Sequence, residues 1–314
     1  MEAPLCAGRG FCPDDCMCQT RIGEITMCAF ELRENALGVE IHAGDQLLAL
    51  YRATEELPRS ESPKPCFAPL YTLSGQLVTE YRPPDHAWHT GLFFGWVHVN
   101  DANLWGGRWY LPETKKYEDV ADSHGVQQHD GFTALEADGV TESLSWLDGR
   151  DQLMARESRS FGFYSTEGGY CLRISMRIEP AGDRLVMGAS RAARYSGLVL
   201  RMGPSFAEAD HYCSEGRQGH ADIMHQHARW VGARGKSGGF VALMDHPSNP
   251  RHPVTWFTRA NLLGTGLLIE GDLEIAAGEC LELHHAFFVL DQDPGPTQIE
   301  SLYADFAASP GELP

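Results

Sequence analysis

Apolar and polar residues alternate along many short stretches of this chain, a pattern typical of β-strands that bury one face. The clearest stretch is CLRISMRIEP at residues 171–180, in which every second side chain from Leu172 to Ile178 is apolar. Similar runs, bounded by Gly, Pro, Asp or Ser, are RLVMGAS, SGLVLRM, GGFVALMDH and CLELHHAFFVL. Many short strands with few helical repeats predict a mostly β protein, built as a large antiparallel β-sandwich.

The end of the chain follows a different period. In TQIESLYADFAA the apolar positions have the spacing of one helix face: Ile299, Leu302, Tyr303 and Phe306. This spacing predicts a C-terminal helix. The composition also changes near residue 25. We therefore expect a Cys-rich irregular extension at residues 1–24 and a single β-sandwich domain at residues 25–314.

Five of the nine cysteines lie within the first 28 residues: Cys6, Cys12, Cys16, Cys18 and Cys28. Thiolates this close in sequence can share a tetrahedral zinc ion. Their spacing lacks the paired C-x2-C of common zinc fingers, so an irregular extension with reduced thiols is the alternative. Cys171 falls within a strand pattern and is predicted to lie in the core.

The charge and hydropathy of the chain narrow the classes of partner. The net charge is −18 and no Lys/Arg run stands out, which argues against a nucleic-acid surface. No apolar run reaches the roughly 18–20 residues that span a bilayer, so we expect no membrane partner. The N-terminus MEAPLCAGRGFCPDDC does not have the pattern of a secretory signal. We expect a cytoplasmic protein with a small-molecule substrate, whose oligomeric state cannot be read from the sequence.

The segment PPDHAWHTGLFFGWVHVNDANLWGG, residues 83–107, carries the first candidate site. Its two histidines, His86 and His89, flank a turn and can act as acid/base groups or as ligands of one divalent metal ion. Alternation along the following strand predicts one shared face for three further candidates, which would project into a cleft and bind substrate with Trp105 at its rim: Trp96, His98 and Asn100. An aromatic ring beside polar groups suits a sugar, because the ring stacks on C–H faces and the polar groups bind hydroxyls.

The segment DHPSNPRHPVTWFTR, residues 245–259, carries the second candidate site. Its three prolines stiffen the loop, which can then present polar side chains with little entropy left to lose. The candidates here are His252 as a catalytic group and three substrate-binding residues: Asn249, Arg251 and Trp256. Arg201, which follows SGLVL, is a candidate anion or carbonyl clamp. We predict that residues 86–108 and 246–256 form one cleft.

Two further stretches are rich in histidine. EDVADSHGVQQHDGF places His124 and His129 in a polar loop, and either can complete a metal site with the first two histidines. FAEADHYCSEGRQGHADIMHQHARW has many potential ligands without a standard spacing, and we interpret it as a long loop that forms a lid. No P-loop, dinucleotide fingerprint, H-E-x-x-H or G-x-S-x-G motif is present.

These motifs give the chain a resemblance to a known family. Residues 27–292 resemble the family named PmoA-like or DUF6807, whose members carry D-H-x-x-H-x-G-L, then V-N-x-x-x-F/L-W, and later h-P-x-N-P-R-H-P. The resemblance implies a sandwich similar to the galactose-mutarotase-like supersandwich, an architecture whose members mostly act on sugars. In the family a Gly-Phe pair follows the equivalent of His129, as Gly131-Phe132 does here, which favours His129 over His124. The methane monooxygenase subunit of similar name is a membrane protein, so its activity is not expected here.

The functional hypothesis is a carbohydrate-active enzyme, a lyase, hydrolase or epimerase acting on a glycoside or keto-sugar. His86, His89 and His252 would be catalytic, with Glu142 or Glu157 assisting. The cofactor is unknown; one divalent metal ion would be held by His86, His89 and His129. Two alternatives stay open: a non-catalytic carbohydrate-binding protein, and a metal-dependent oxygenase with a His-ligated ion.

Overall fold

The computed structural model describes residues 30–111, 113–136, 139–188 and 196–311. The predicted Cys-rich extension at residues 1–24 lies outside these ranges, as do both alternatives for its cysteines. Among the described residues, no helix is long and apolar enough to cross a membrane.

The described residues form twenty-one strands and two helices, together with 3-10 turns at Arg59–Glu61 and Pro204–Phe206. The strands are β1 Phe30–Asn35, β2 Gly38–Ala43, β3 Gln46–Arg52, β4 Cys66–Leu70, β5 Leu92–Val99, β6 Ala102–Leu104, β7 Trp109–Leu111, β8 Lys116–Glu118, β9 Val126–Leu135, β10 Val140–Leu147, β11 Leu153–Thr166, β12 Gly169–Pro180, β13 Arg184–Gly188, β14 Ser196–Arg201, β15 Asp210–Cys213, β16 Trp230–Arg234, β17 Phe240–Asp245, β18 Trp256–Arg259, β19 Leu262–Thr265, β20 Leu273–Ala276 and β21 Leu281–Leu290. The helices are α1 His220–Ile223 and α2 Pro296–Ala308.

Two antiparallel sheets contain nearly all of these strands. In the described chain, sheet I has eleven strands and follows the order β1-β2-β3-β4-β5-β14-β19-β18, with β6 and β13 paired to β5 and β20 paired to β13. Sheet II has eight, in the order β15-β16-β17-β21-β12-β11-β10-β9, and β7 and β8 form a separate hairpin. The expected fold class, a mostly β protein with a large antiparallel β-sandwich and a C-terminal helix, is confirmed.

Strand alternation sorts side chains between the core and the outer faces. On β12 the apolar side chains from Leu172 to Ile178 lie in the main hydrophobic core. Cys171 is buried as expected, but on the other face of sheet II. Helix α2 covers that face with Ile299, Tyr303 and Phe306, which is the stripe that its sequence predicts.

A third apolar cluster lies on the outer face of sheet I. Its members alternate with core residues: Phe93 on β5, Val199 on β14 and Phe257 on β18 belong to it, while their strand neighbours lie in the main core. Trp88 and Trp105 pack onto the same cluster from the loops above. This outer cluster is the floor of the candidate site.

Candidate functional site

A cavity of about 660 Å³ opens above the outer face of sheet I. The loop before β5, the turn between β6 and β7, the β7–β8 hairpin, α1 and the β18–β19 turn form its walls. Of the predicted site residues, five line this cavity: His86, His89, His98, Trp105 and Arg201. The first motif segment therefore supplies four of these five residues.

Three tryptophans, Trp88, Trp105 and Trp109, give the cavity an aromatic wall. Trp88 packs so closely on the Gly106–Gly107 turn that a Cβ would lie 2.4 Å from it at Gly106 and 2.7 Å at Gly107. Both glycines also have positive φ angles, 105° and 71°, which favour glycine over any residue with a side chain. The WGG sequence is thus what allows the indole of Trp88 to lie against this turn.

Asn103 holds the turn that carries Trp105. Its side-chain oxygen accepts hydrogen bonds from the backbone N–H groups of Trp105 at 2.8 Å and Gly106 at 3.0 Å. Such a side-chain-to-backbone turn is a common use of Asn and fixes the direction of the chain. Asn103 therefore positions Trp105 in the wall of the cavity.

His86 is the last member of a series of hydrogen-bonded polar side chains. Arg201 donates to Glu80 at 2.9 Å and lies 3.4 Å from the carboxylate of Asp85, which in turn accepts from Nδ1 of His86 at 2.8 Å. The hydrogen bond to His86, helped by the charge of Arg201, lowers the pKa of Asp85. Because an ionised carboxylate only accepts, Nδ1 of His86 carries the proton and the neutral ring keeps a lone pair on Nε2. Arg201 thus acts on the site through Asp85.

His89 lies deeper, with only 6% of its surface exposed. Its ring stacks on that of His86 at 4.9 Å and meets Trp105 edge-on at 5.6 Å. Burial, followed by repulsion from His86 and Arg201, lowers the pKa of His89 to about 3, so the imidazole is neutral at physiological pH. Its Nδ1 atom is buried and has no hydrogen-bond partner among the described residues.

The predicted shared face of Trp96, His98 and Asn100 is wrong. The register of β5 against β6 shifts between Trp96 and Val99, so the alternation is interrupted there. Trp96 lies wholly in the core beside Trp146, while the ring of His98 lies 4.2 Å from that of Trp109 in the cavity. Asn100 is an exposed turn residue with φ 50° whose side chain accepts from the backbone of β13.

The second motif segment does not present its polar residues to this cavity. Asp245, which is buried, accepts hydrogen bonds from Nδ1 of His252 at 2.8 Å, from Asn249 at 2.8 Å and from the N–H of Val254 at 3.1 Å. Arg251 donates to the carbonyls of three residues in the following turn: Leu267, Gly271 and Asp272. The polar groups of this segment are therefore used to hold the loop together.

His252 and Trp256 have separate surroundings. Nε2 of His252 lies 3.3 Å from the hydroxyl of Tyr303 on α2, which covers the outer face of sheet II. Trp256 lies in the main core, where its indole N–H donates to the carbonyl of Ala228 at 2.8 Å. His89 and His252 thus lie on opposite sides of the sandwich. The single-cleft prediction for residues 86–108 and 246–256 is wrong.

The end of the second segment does reach the cavity. On β18, Trp256 and Thr258 face the core, so the alternate residues Phe257 and Arg259 face outward, and both line the cavity. The sequence prediction missed Arg259, although it is the last residue of the quoted motif. Trp88 and Trp109 were missed as well, while His220 of α1 belongs to the stretch that was interpreted as a lid. The signal for the two tryptophans was their position beside the His and Gly-Gly motifs.

His129 joins a different cluster. Its Nδ1 lies 2.6 Å from Glu142, which is buried, accepts from Tyr51 and lies 3.9 Å from Arg159. Arg159 also pairs with Glu157 at 2.7 Å. Neither glutamate lines the His86 cavity, so neither assists a reaction there. The stretch that was interpreted as a lid contains β15, α1 and the start of β16.

The predicted metal ligands do not come together. His86 and His89 stack almost in parallel, at 19° between their planes, so their in-plane lone pairs do not converge on one point. His129 lines other cavities. Within the part of the chain that the structure describes, no group of three or more His, Cys, Asp or Glu side chains could hold a metal ion. The described residues therefore do not fit the predicted three-histidine metal site.

Solved structures with detectable similarity have low identity. The heparan sulfate lyase HepC from Pedobacter heparinus is 7% identical with a TM-score of 0.37, covering 85% of this chain and 37% of that one. The Slr1438 protein from Synechocystis sp. PCC 6803 is 11% identical with a TM-score of 0.40, and the match covers 79% of this chain and 97% of that one. The GH36 α-galactosidase AgaA from Geobacillus stearothermophilus is 11% identical with a TM-score of 0.35, and the match covers 84% of this chain and 39% of that one. This chain thus spans less than half of the two enzymes.

No curated protein matches this sequence. A family model matches over residues 38–304, and its description is a family of unknown function, DUF6807. The match covers most of the chain and confirms the expected resemblance to DUF6807, while the name PmoA-like gains no support from it. The chain therefore belongs to the DUF6807 family.

Proposed function

We propose that this protein is a carbohydrate-active enzyme whose substrate binds in the cavity above sheet I. The observation that carries the proposal is the wall formed by Trp88, Trp105 and Trp109 beside the polar groups of His86 and His89. Indole rings stack on the C–H face of a sugar, and nearby polar side chains bind its hydroxyls. A cavity of 660 Å³ is also within the usual range for small-molecule sites.

Two histidines would divide the work in this site. His86, oriented by Asp85, has a lone pair on Nε2 and a carboxylate that stabilises the imidazolium after it takes a proton. We assign proton transfer to His86. His89 has a pKa of about 3, which suits a neutral ring that hydrogen-bonds a substrate oxygen better than it suits a base. Asp85 and Arg201 are positioning residues in this scheme.

A non-catalytic carbohydrate-binding protein would use the same aromatic wall. The hydrogen-bonded Asp85–His86 pair favours the enzyme, because stacking and hydroxyl binding alone do not require an oriented imidazole. The oxygenase alternative is not proposed, since the described residues do not form its His-based metal site.

The test is a screen of glycosides, free sugars and keto-sugars for turnover, with binding measured by calorimetry. For any substrate found, His86→Asn should lower kcat by about 10²–10⁴-fold with little change in Kd. Trp109→Ala should instead weaken binding by roughly tenfold. The control is His227→Asn, since His227 is also half-exposed and paired with a carboxylate, at 3.0 Å from Glu270, but lies outside the cavity.

The outcomes separate the hypotheses. Tight sugar binding without turnover would favour the binding protein. No binding of any sugar, or equal loss of activity in His86→Asn and His227→Asn, would contradict the proposed site.

A further inference from the structure

The charges around the cavity differ from those of the whole molecule. The chain has a net charge of −18. The cavity, however, is lined by Arg108, Arg201 and Arg259, and Asp85 is the one carboxylate among its described lining residues. A concave surface attracts ligands whose charge is opposite to the charge that stays uncompensated in it. The chemistry of the ligand therefore depends on which of these arginines lacks a carboxylate partner.

Two of these arginines already have carboxylate partners. Arg201 pairs with Glu80 at 2.9 Å and with Asp85 at 3.4 Å. Arg108 lies 3.3 Å from Asp119. Their charges are therefore largely compensated within the protein, and their roles in orienting Asp85 and closing the rim do not require an anionic ligand.

Arg259 is different. Its guanidinium donates to the carbonyl of Thr258 at 3.2 Å and lies 5.0 Å from the centre of the Phe257 ring. In the described ranges of the chain, no carboxylate lies within ion-pairing distance of it. The side chain is exposed to the cavity mouth, so its donors are accessible to a ligand. The stacking on Phe257 holds the planar group in place before any ligand binds.

We propose that the sugar bound in this cavity carries an acidic group, a carboxylate or a phosphate, and that Arg259 binds it. The inference rests on the proposed function and deepens it, because it names the class of sugar. Guanidinium presents a fork of N–H donors that matches the paired oxygens of either group. The sugar ring would stack on the tryptophan wall while its acidic group lies at the Arg259 end of the cavity.

The experiment compares three ligand classes by calorimetry at low ionic strength: a hexuronate, a hexose 6-phosphate and the neutral methyl hexoside. The wild-type chain is expected to bind at least one acidic sugar about 10- to 100-fold more tightly than the neutral one, as one charge-assisted contact provides. Arg259→Gln should remove this preference without changing the neutral affinity, and Arg259→Lys should restore part of it. The uronate and phosphate arms show which acidic group is preferred.

Arg184→Gln is the matched control, because Arg184 is exposed, pairs weakly with Glu274 at 3.4 Å and lies outside the cavity. It should leave all three affinities unchanged. A neutral sugar that binds as tightly as both acidic ones would overturn the inference and leave the proposed function standing. Equal weakening of neutral and acidic sugars by Arg259→Gln would also overturn it. Failure of every sugar to bind would instead contradict the proposed function itself.

Discussion

Segments 83–107 and 245–259 share a rare composition, in which His, Asn, Arg or Asp occur beside Trp and Pro. Their polar side chains differ in the partners that they meet. In the second segment the polar groups find partners within the protein. Asn249 illustrates this, because it bonds Asp245 and exchanges two hydrogen bonds with the backbone of His284. In the first segment the rings of His86, His89 and Trp88 face a cavity, and Nδ1 of His89 has no partner in the described chain.

The difference teaches how to distinguish a structural loop from a binding site. Buried polar groups cost free energy unless they are paired. A loop that pairs its own groups has no donors or acceptors left for a ligand. A buried nitrogen without a hydrogen-bond partner in a cavity wall costs free energy of folding, and a function of the cavity explains why that cost is kept. Four substitutions test this distinction between the two segments.

The largest expected effect is on stability and lies in the second segment. Asp245→Ala removes the acceptor of Asn249, His252 and the N–H of Val254. The free energy of unfolding should fall by about 3–5 kcal/mol, because buried donors are left unpaired. Urea denaturation measures this loss of unfolding free energy. Asp210→Ala is the control, because Asp210 is an exposed aspartate in a surface ion pair with Arg234, and it should cost no more than about 1 kcal/mol. A loss under about 1 kcal/mol for Asp245→Ala would show that this residue does not hold the loop.

A matched pair of histidine substitutions tests function against stability. His252→Leu breaks the bonds to Asp245 and Tyr303 and should cost about 1–3 kcal/mol of unfolding free energy without weakening sugar binding. His89→Leu removes a buried nitrogen that lacks a partner, so the stability should be unchanged or higher. The same variant should lower kcat/KM by about 10- to 100-fold, since a hydrogen bond to substrate is lost. The reverse pattern would contradict the assignment of the two segments.

The close contact of Trp88 with its turn gives a smaller effect. Gly107→Ala and Gly75→Ala both place a side chain at a positive φ, 71° and 85°, and the backbone strain alone should cost about 1 kcal/mol of unfolding free energy in each. Only at Gly107 would the new Cβ meet the Trp88 indole, at 2.7 Å, whereas nothing lies within 4 Å at Gly75. Sugar binding should therefore weaken in Gly107→Ala alone. Equal affinities in the two variants would show that the position of Trp88 does not matter.

The pH dependence of stability gives a further test of His89. The pKa of His89 is about 3 in the folded protein against an ordinary value of 6.5, so the unfolded chain binds more protons between these values. Stability is fully present above pH 6.5 and falls as the pH decreases toward 3. One such group contributes a slope of up to roughly 1.4 kcal/mol per pH unit. His89→Leu should reduce the slope of unfolding free energy between pH 6 and pH 4.

Other histidines provide the background for that measurement. Burial lowers the pKa of both His211 and His285 to about 4, so their contributions are lost over a similar range and remain in the variant. An unchanged slope in His89→Leu would mean that His89 is protonated in the folded state over this range.

Local sequence patterns were sufficient to predict the main elements and the family. Two-residue alternation predicted strands such as β12, the helical spacing predicted α2, and the motifs identified DUF6807. The sequence also identified a segment that lines part of the cavity, because His86, His89 and Trp105 occur together in a short stretch. These properties depend on residues that are close in sequence.

Only the tertiary structure decided which face of each strand is the core and which partner each polar group meets. Trp96 follows the core face of Leu92 and Phe94, and a single register shift after it turns His98 into the cavity. Alternation divides a strand into two faces but cannot say which face another layer covers. The partner of Arg201, Glu80, is 121 residues away. The second segment is a structural loop and Arg259 lines the cavity because of contacts between residues that are distant in sequence. No local sequence pattern predicts those contacts.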